Sequence, residues 1–146
     1  MARYIDIGKA FEAALFSGDE AGMHKVLHEN VVYEMSGFPP IGGRFEGRDR
    51  VIESFENRAV GLGPGFEYEE LSRNWYEDPA NGKVFVEIHE KSWLAAHPDD
   101  RLIVRTCSVL TVEGDQIVSI IDYTDSQAYS EFKDRHAADI PKFAGG

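Results

Sequence analysis

The sequence predicts an α+β fold in which a curved, antiparallel or mixed β-sheet wraps around helices from the N-terminal part of the chain. Three observations point there. Apolar residues recur at helical spacing in the first third. Longer runs with strand-like alternation fill the second half. Short turn-like segments join those runs. Helices first and strands after is the α+β order, and tight hairpin links join antiparallel neighbours. The 146 residues fit one domain, read as residues 1–146, with a core of about 4–132 and a helix end and tail over 133–146.

The elements follow in order. In YIDIGKAFEAALF, Tyr4, Ile7, Phe11, Ala14 and Leu15 share one helical face, with Asp6, Lys9 and Glu12 on the other. Ser17 to Asp19 (SGD) breaks that helix and offers Asp19 as the N-cap of a second. The second helix buries Met23, Val26 and Leu27 and is expected to end near Asn30. Val31 to Met35 reads as a short strand, and SGFPPIGGRFEG as a loop by its Gly and Pro content. RDRVIESFENRAVGLG reads as a third amphipathic helix with Val51, Ile52, Phe55 and Ala59 inward, and GLGPG as a flexible connection. FEYEELSRNWYE, KVFVEIHEKSWLA and LIVRTCSVLTV are strands separated by DPANGK and HPDDR. EGDQ turns into a last strand, IVSIIDYTDS, and SQAYSEFKDRHAAD forms a final helix before a loose tail. If the sheet curves around the helices, a cone opens between them, and such a concavity is a natural ligand cavity.

Charge excludes some functions. The net charge of -11 repels phosphate backbones and anionic membrane surfaces, so neither nucleic acid nor membrane is an expected partner. The single cysteine, Cys107, rules out an intramolecular disulfide. Asp6, Lys9 and Glu12 interrupt any signal-like run, and no stretch approaches the ~20 apolar residues of a membrane span. A cytoplasmic protein is the expectation.

The last strand carries the residue that stands out. Val118, Ile120, Asp122 and Thr124 would share one strand face, so a carboxylate follows two apolar residues on the same face. Facing a cavity, Asp122 would have its pKa raised by burial and could serve as acid or base near neutral pH. It could equally be a structural acid paired with Arg105 or Arg73. In KVFVEIHEKSW, Val84, Val86, Ile88, Glu90 and Ser92 form the inward set, which puts Glu90 on the same wall. Two close carboxylates would resist joint ionisation. Phe38, Phe66, Trp75 and Tyr76 could line a pocket or simply pack. His24 and His28 have metal-ligand spacing, i and i+4 on a helix. Their polar neighbours and the lack of a third ligand make a solvated face the better reading, and no metal is expected.

Several local patterns together resemble the nuclear transport factor 2-like superfamily, with its cystatin-like cone, in the SnoaL-like branch of polyketide cyclases, limonene epoxide hydrolase and ketosteroid isomerase. They are FEAALFSGD, ENVVYEMSGFPPIGGRFEGRDRVIESF and VEGDQIVSIIDYTD. The resemblance spans Tyr4 to about Phe132. It implies a deep apolar pocket, acid–base chemistry without a cofactor, and a homodimer through the outer sheet face. By position, Asp122 matches a water-activating aspartate, Glu90 a second acid, and Tyr33 a tyrosine that helps hold the water. Ile88 stands where an arginine usually bridges the acids, and Met35 where an asparagine accompanies the tyrosine. The isomerase groups fall on Phe11, near Met35 and near Ser108. The implied pocket wall is Phe11, Met35, Phe38, Trp75, Ile88, Ser108 and Ile120. The resulting expectation is a small enzyme acting on an apolar cyclic or polyketide-like molecule through Asp122, Glu90 and Tyr33. Ile88 and Met35 motivate the alternative, a binding or dimerisation module on the same fold.

Overall fold

The computed structural model of the chain describes residues 3–36, 43–58 and 65–140. Its elements run α1 (Tyr4–Ser17), α2 (Glu20–Val26), β1 (Leu27–Met35), β2 (Gly43–Glu46), α3 (Arg48–Arg58), β3 (Phe66–Asp78), β4 (Lys83–Leu94), β5 (Leu102–Glu113), β6 (Gln116–Tyr123) and α4 (Ser126–Arg135), with a 3₁₀ turn at Pro79–Asn81. The strands form one sheet in the order β2-β1-β6-β5-β4-β3. β1 lies parallel to β6, and the other neighbours are antiparallel. The hairpin links alone predict antiparallel pairing. The sheet is mixed because β1 comes from the N-terminal part and crosses over to reach β6.

Helix α1 ends at Gly18, whose positive φ of 69° lets its N–H reach back to Leu15 and Ala14. Asp19 caps α2 by accepting from the Gly22 N–H at 2.9 Å. The second helix is shorter than its periodicity suggests. It stops at Val26, because Leu27 is extended and pairs with Ile117 across β6. Strand pairing here overrides a local helical pattern. His28 therefore lies on β1, and the i, i+4 relation to His24 on a helix does not exist. The segment expected to be all loop contains β2, which pairs Arg44 with Glu34 and Phe45 with Tyr33. Val51 and Ile52 of α3 are buried and Phe55 is half-buried against the same core. Ala59 and residues 61–64 of the Gly-rich connection lie outside the described residues.

Two apolar clusters hold the fold. The larger joins Ile7, Phe11 and Ala14 of α1, Met23 of α2, and Val51 and Ile52 of α3 to Val31, Tyr33, Val84, Leu110 and Ile120 of the sheet. The smaller seats Phe132 of α4 on Leu94, Leu102 and Val104 at the other end of the strands, with Phe66, Ala128 and Tyr129 around it. α1 approaches the sheet most tightly at Gly8. A Cβ there would lie 2.8 Å from the Trp75 ring and 3.1 Å from Leu110. Overpacking costs about 1–3 kcal/mol, and alanine's better helix propensity returns about 1 kcal/mol. Gly8→Ala should therefore lose about 1 kcal/mol in urea unfolding; a raised midpoint would mean that Trp75 yields without cost.

β1 is irregular between Leu27 and Val32, and β3 and β6 each carry one extra residue. Glu70 pairs with Glu90 and Ser72 with His89, so Leu71 is a bulge in β3. Val118 is the odd residue in β6, since Thr111 pairs with Ser119 and Val112 with Ile117. As a result Ile117 and Ile120 are both buried. The strict alternation that grouped Val118 with Ile120 and Asp122 fails at that bulge.

Candidate active site

Between the two apolar clusters the inner face of the sheet turns polar. On β5, Leu110 gives way to Ser108 and Thr106 before Val104 resumes. On β4, Val84 and Val86 lead through Ile88 to Glu90. On β6, Ile120 is followed by Asp122. Cross-strand pairing aligns these residues: Ser108 is opposite both Asp122 and Val86, and Met35 is opposite Asp122. A polar belt thus crosses an otherwise apolar wall.

Asp122 sits at the centre of this belt. The Tyr33 hydroxyl donates to Asp122 Oδ2 at 2.8 Å, and the Ser108 hydroxyl donates to Asp122 Oδ1. Tyr33 is fixed by stacking on Phe45 at 6.1 Å and by Phe55 at 4.8 Å, with Phe11 beyond Phe55 at 5.7 Å. The Asp122 main chain is anchored as well, its carbonyl accepting from the Ser36 N–H at 2.9 Å. Asp122 keeps some surface as a residue, but its carboxyl is withdrawn from water. That burial raises its pKa above 3.8, and the two hydroxyl bonds oppose the shift without cancelling it. The partners of its carboxyl are these two hydroxyls, not Arg73 or Arg105. Arg105 is opposite His89 on the outer face.

Arg73 binds elsewhere in the belt. Its Nη1 meets both Glu12 oxygens at 2.6 and 2.5 Å, and its Nε meets Glu70 at 3.1 Å. The Leu71 bulge makes this geometry possible. Residues three apart on a regular strand point to opposite faces, yet Glu70 and Arg73 both point inward, opposite Glu90 and Ile88. The structure therefore supplies a guanidinium on the strand beside Ile88, where the resemblance implied the loss of one. Burial raises the Glu12 carboxyl, Arg73 pulls it down, and Glu70 and Asp122 push it up again. Glu90 is likewise raised by burial, lowered by Arg73 and raised by Glu70. The expected mutual push of Glu90 and Asp122 is not among the causes of either shift. Glu90 couples to the arginine instead, because its cross-strand neighbours are Val104 and Glu70, and Glu70 holds Arg73.

Tyr129 completes the group from α4. Burial raises its phenol pKa first, and the charges of Glu90 and Asp122 raise it further, so it stays protonated. Sequence reading missed Glu12 and Tyr129. Glu12 looks like the solvent side of α1, and Tyr129 like part of an amphipathic helix. One residue step of about 100° around α1, from Phe11 to Glu12, is all that separates core from belt.

The other expected pocket residues divide. Met35, Ile88, Ser108 and Ile120 lie on the belt or beside it. Phe11 is a core residue, 5% exposed, that reaches the belt only through Phe55 and Tyr33. Trp75 packs against Gly8 and the main core. Phe38 lies outside the described residues. Cys107 is raised by burial, then by Glu87 and Asp122, which is the wrong direction for a nucleophile. A shallow recess of about 130 Å³ between α2 and α3, lined by Glu20, His24, Asp49, Ile52, Glu53 and Glu56, shares no residue with the belt.

No family model matches the sequence, and no curated protein matches it. Solved structures do. A nuclear transport factor 2-like protein of Burkholderia xenovorans LB400 superposes with a TM-score of 0.73 at 19% identity, covering 88% of this chain and 93% of that one. A protein put forward as a polyketide cyclase of Pseudomonas putida KT2440 gives 0.68 at 14% identity, covering 90% and 98%. An epoxide hydrolase of M. tuberculosis, like limonene epoxide hydrolase, gives 0.62 at 22% identity, covering 92% of each. The chain has the nuclear transport factor 2-like, cystatin-like α+β fold.

Proposed function

We propose that this chain, built on the nuclear transport factor 2-like fold, is a small cofactor-free enzyme that moves a proton on an apolar cyclic or polyketide-like molecule. Asp122 is the group that transfers the proton. The observation that carries the reading is its carboxyl on the inner wall, withdrawn from water, with a raised pKa and held at both oxygens by Tyr33 and Ser108. A carboxylate whose pKa is raised by burial is better suited to take and return a proton than an exposed one. Two fixed donors set its orientation without neutralising its charge. Tyr129 supplies a neutral phenol near both acids, suited to donating to a substrate oxygen. Arg73, held by Glu12 and Glu70, supplies the positive charge that offsets Glu90. Similar folds include the polyketide cyclase and the epoxide hydrolase, and another neighbour, 17% identical, is a protein crystallised with polyporic acid. Fold alone does not carry an activity; the belt is what favours proton transfer here.

The test is a panel of apolar cyclic epoxides and of enolisable cyclic ketones, the latter in heavy water to read proton exchange. Turnover should appear with one class, and Asp122→Asn should remove it. No turnover favours the second reading, a binding module, and turnover that Asp122→Asn leaves intact would remove Asp122 from the proton-transferring role. Ile88 and Met35, apolar where the resemblance implies polar side chains, motivate that alternative.

A second copy of the chain is the partner we infer for the outer sheet face. Tyr76, Ile103 and Tyr123 point outward from three strands and stay more than half exposed, at 55%, 57% and 53%. Between Tyr76 and Tyr123 the register places Phe85, Val109 and Ile121 side by side on that face, and an apolar row of this kind is costly to leave in water. Sedimentation of the wild type should give a dimer, and Ile103→Asp should shift it to monomer. A wild-type monomer would remove this inference.

A further inference from the structure

Two turns far apart in sequence have the same form. His97-Pro98-Asp99-Asp100 follows β4, and His136-Ala137-Ala138-Asp139 follows α4. Each closes with the Asp N–H on the His carbonyl, at 3.2 Å and 2.9 Å. The side chains cross over. His97 Nε2 meets Asp139 Oδ2 at 2.7 Å, and His136 Nε2 meets Asp100 Oδ2 at 2.6 Å. The two imidazole rings lie 4.6 Å apart at 30°. One donor atom each from His97, His136 and Asp139 falls within 4.8 Å of the others.

We propose that this crossed pair of turns is a binding site for a divalent transition-metal ion of the zinc class, with His97, His136 and Asp139 as ligands. Two imidazoles and a carboxylate are a donor set that zinc accepts, with one position left for water. Bonds of about 2.0–2.2 Å require donors a little over 3 Å apart, so modest side-chain rotations close the site. The ion takes the place of the proton shared between His97 and Asp139. Asp100, already on His136, keeps that ring oriented, as outer carboxylates do around metal-bound histidines. His136 is 9% exposed and rests on Phe132, which fixes one ligand in the smaller core before any ion arrives. The opposing feature is Arg135, whose guanidinium holds Asp100 at 3.1 Å; it makes Asp100 an orienting group and leaves Asp139 as the carboxylate ligand. The ion would pin the end of α4 to the β4–β5 turn. That helix also carries Tyr129, so occupancy would steady one side of the polar belt.

The experiment uses the untagged full chain, stripped with chelator, and zinc chloride as the probe. Equilibrium dialysis and calorimetry should show one Zn²⁺ per chain, with a rise in the unfolding temperature. His97 and Asp139 are on the surface, so His97→Gln and Asp139→Asn should fold. Each should weaken binding by at least tenfold. His24→Gln is the control, because His24 with Glu20 and Asp49 is the other place on the described surface where an ion could settle. It should leave binding unchanged. Absence of Zn²⁺ binding, binding untouched by both His97→Gln and Asp139→Asn, or binding lost in His24→Gln would overturn the assignment.

Discussion

Asp122→Asn is expected to stabilise the protein at pH 7–8 while slowing turnover of any panel substrate at least about 100-fold, the usual worth of a proton-transferring side chain. The two effects share a cause. The folded pKa of Asp122 lies above its ordinary value of 3.8 because ionising it on the apolar wall is costly. The folded state therefore holds the proton more tightly than the unfolded chain. Stability is full below about pH 4, falls as pH climbs toward the folded value, and stays reduced above it. Asparagine removes this contribution. It can still accept from one hydroxyl through its oxygen and donate to the other through its amide. The gain over wild type should thus be largest at pH 8 and small at pH 4.5. Glu12 and Glu90 shift in the same direction, so some of the slope persists in the variant. Thermal melts of both proteins across that range decide the matter. A variant that gains nothing at pH 8, or gains equally at every pH, would mean that Asp122 is not a strained acid.

Arg73→Met should be the most destabilising of the belt substitutions, costing about 3 kcal/mol at neutral pH, the lower end for stranding one partner of a buried pair. Arg73 and Glu12 are only 19% and 16% exposed, so neither is a surface ion pair that water can replace. Without the guanidinium, Glu12 faces Glu70 and Asp122 with nothing to offset them. Its pKa should rise further, so the loss should shrink as pH falls and Glu12 takes up a proton. Glu12→Gln in the Arg73→Met background should recover much of the stability. Urea unfolding of the single and double variants at pH 5 and pH 8 tests this. A single-variant loss that the second substitution does not relieve would show that Arg73 acts through packing of its stem alone.

The sequence made the core legible where periodicity is clean. Ile7, Phe11 and Ala14 on α1, and Val84 and Val86 on β4, point inward as their spacing implies. Asp122 and Ser108 are neighbours because the Val118 bulge moves the register set by the EGDQ hairpin on by one residue, and Tyr33 joins them through the strand that crosses to lie beside β6. What stayed hidden depends on irregular backbone or on a third dimension. Leu27 reads as helical because strand pairing with Ile117 is a long-range fact. Val118 and Ile117 exchange faces because a bulge breaks alternation. Glu12 and Tyr129 enter the belt from two helices whose docking no single segment encodes. Arg73 could be suspected as a partner of Asp122, but its true partners follow from the bulge at Leu71.

That bulge has a consequence for how relatives of this fold are compared. One inserted residue turns the remainder of β3 over, so a cation on that strand can join or leave the interior without any change of residue type. Deleting Leu71 would send Arg73, Trp75 and Glu77 outward together and bring Asn74 and Tyr76 in. A column-by-column alignment scores such an event as a small gap and reports only Ile88 where the resemblance implied an arginine. Counted by what each strand presents to the interior, the charge is still there, carried one strand over.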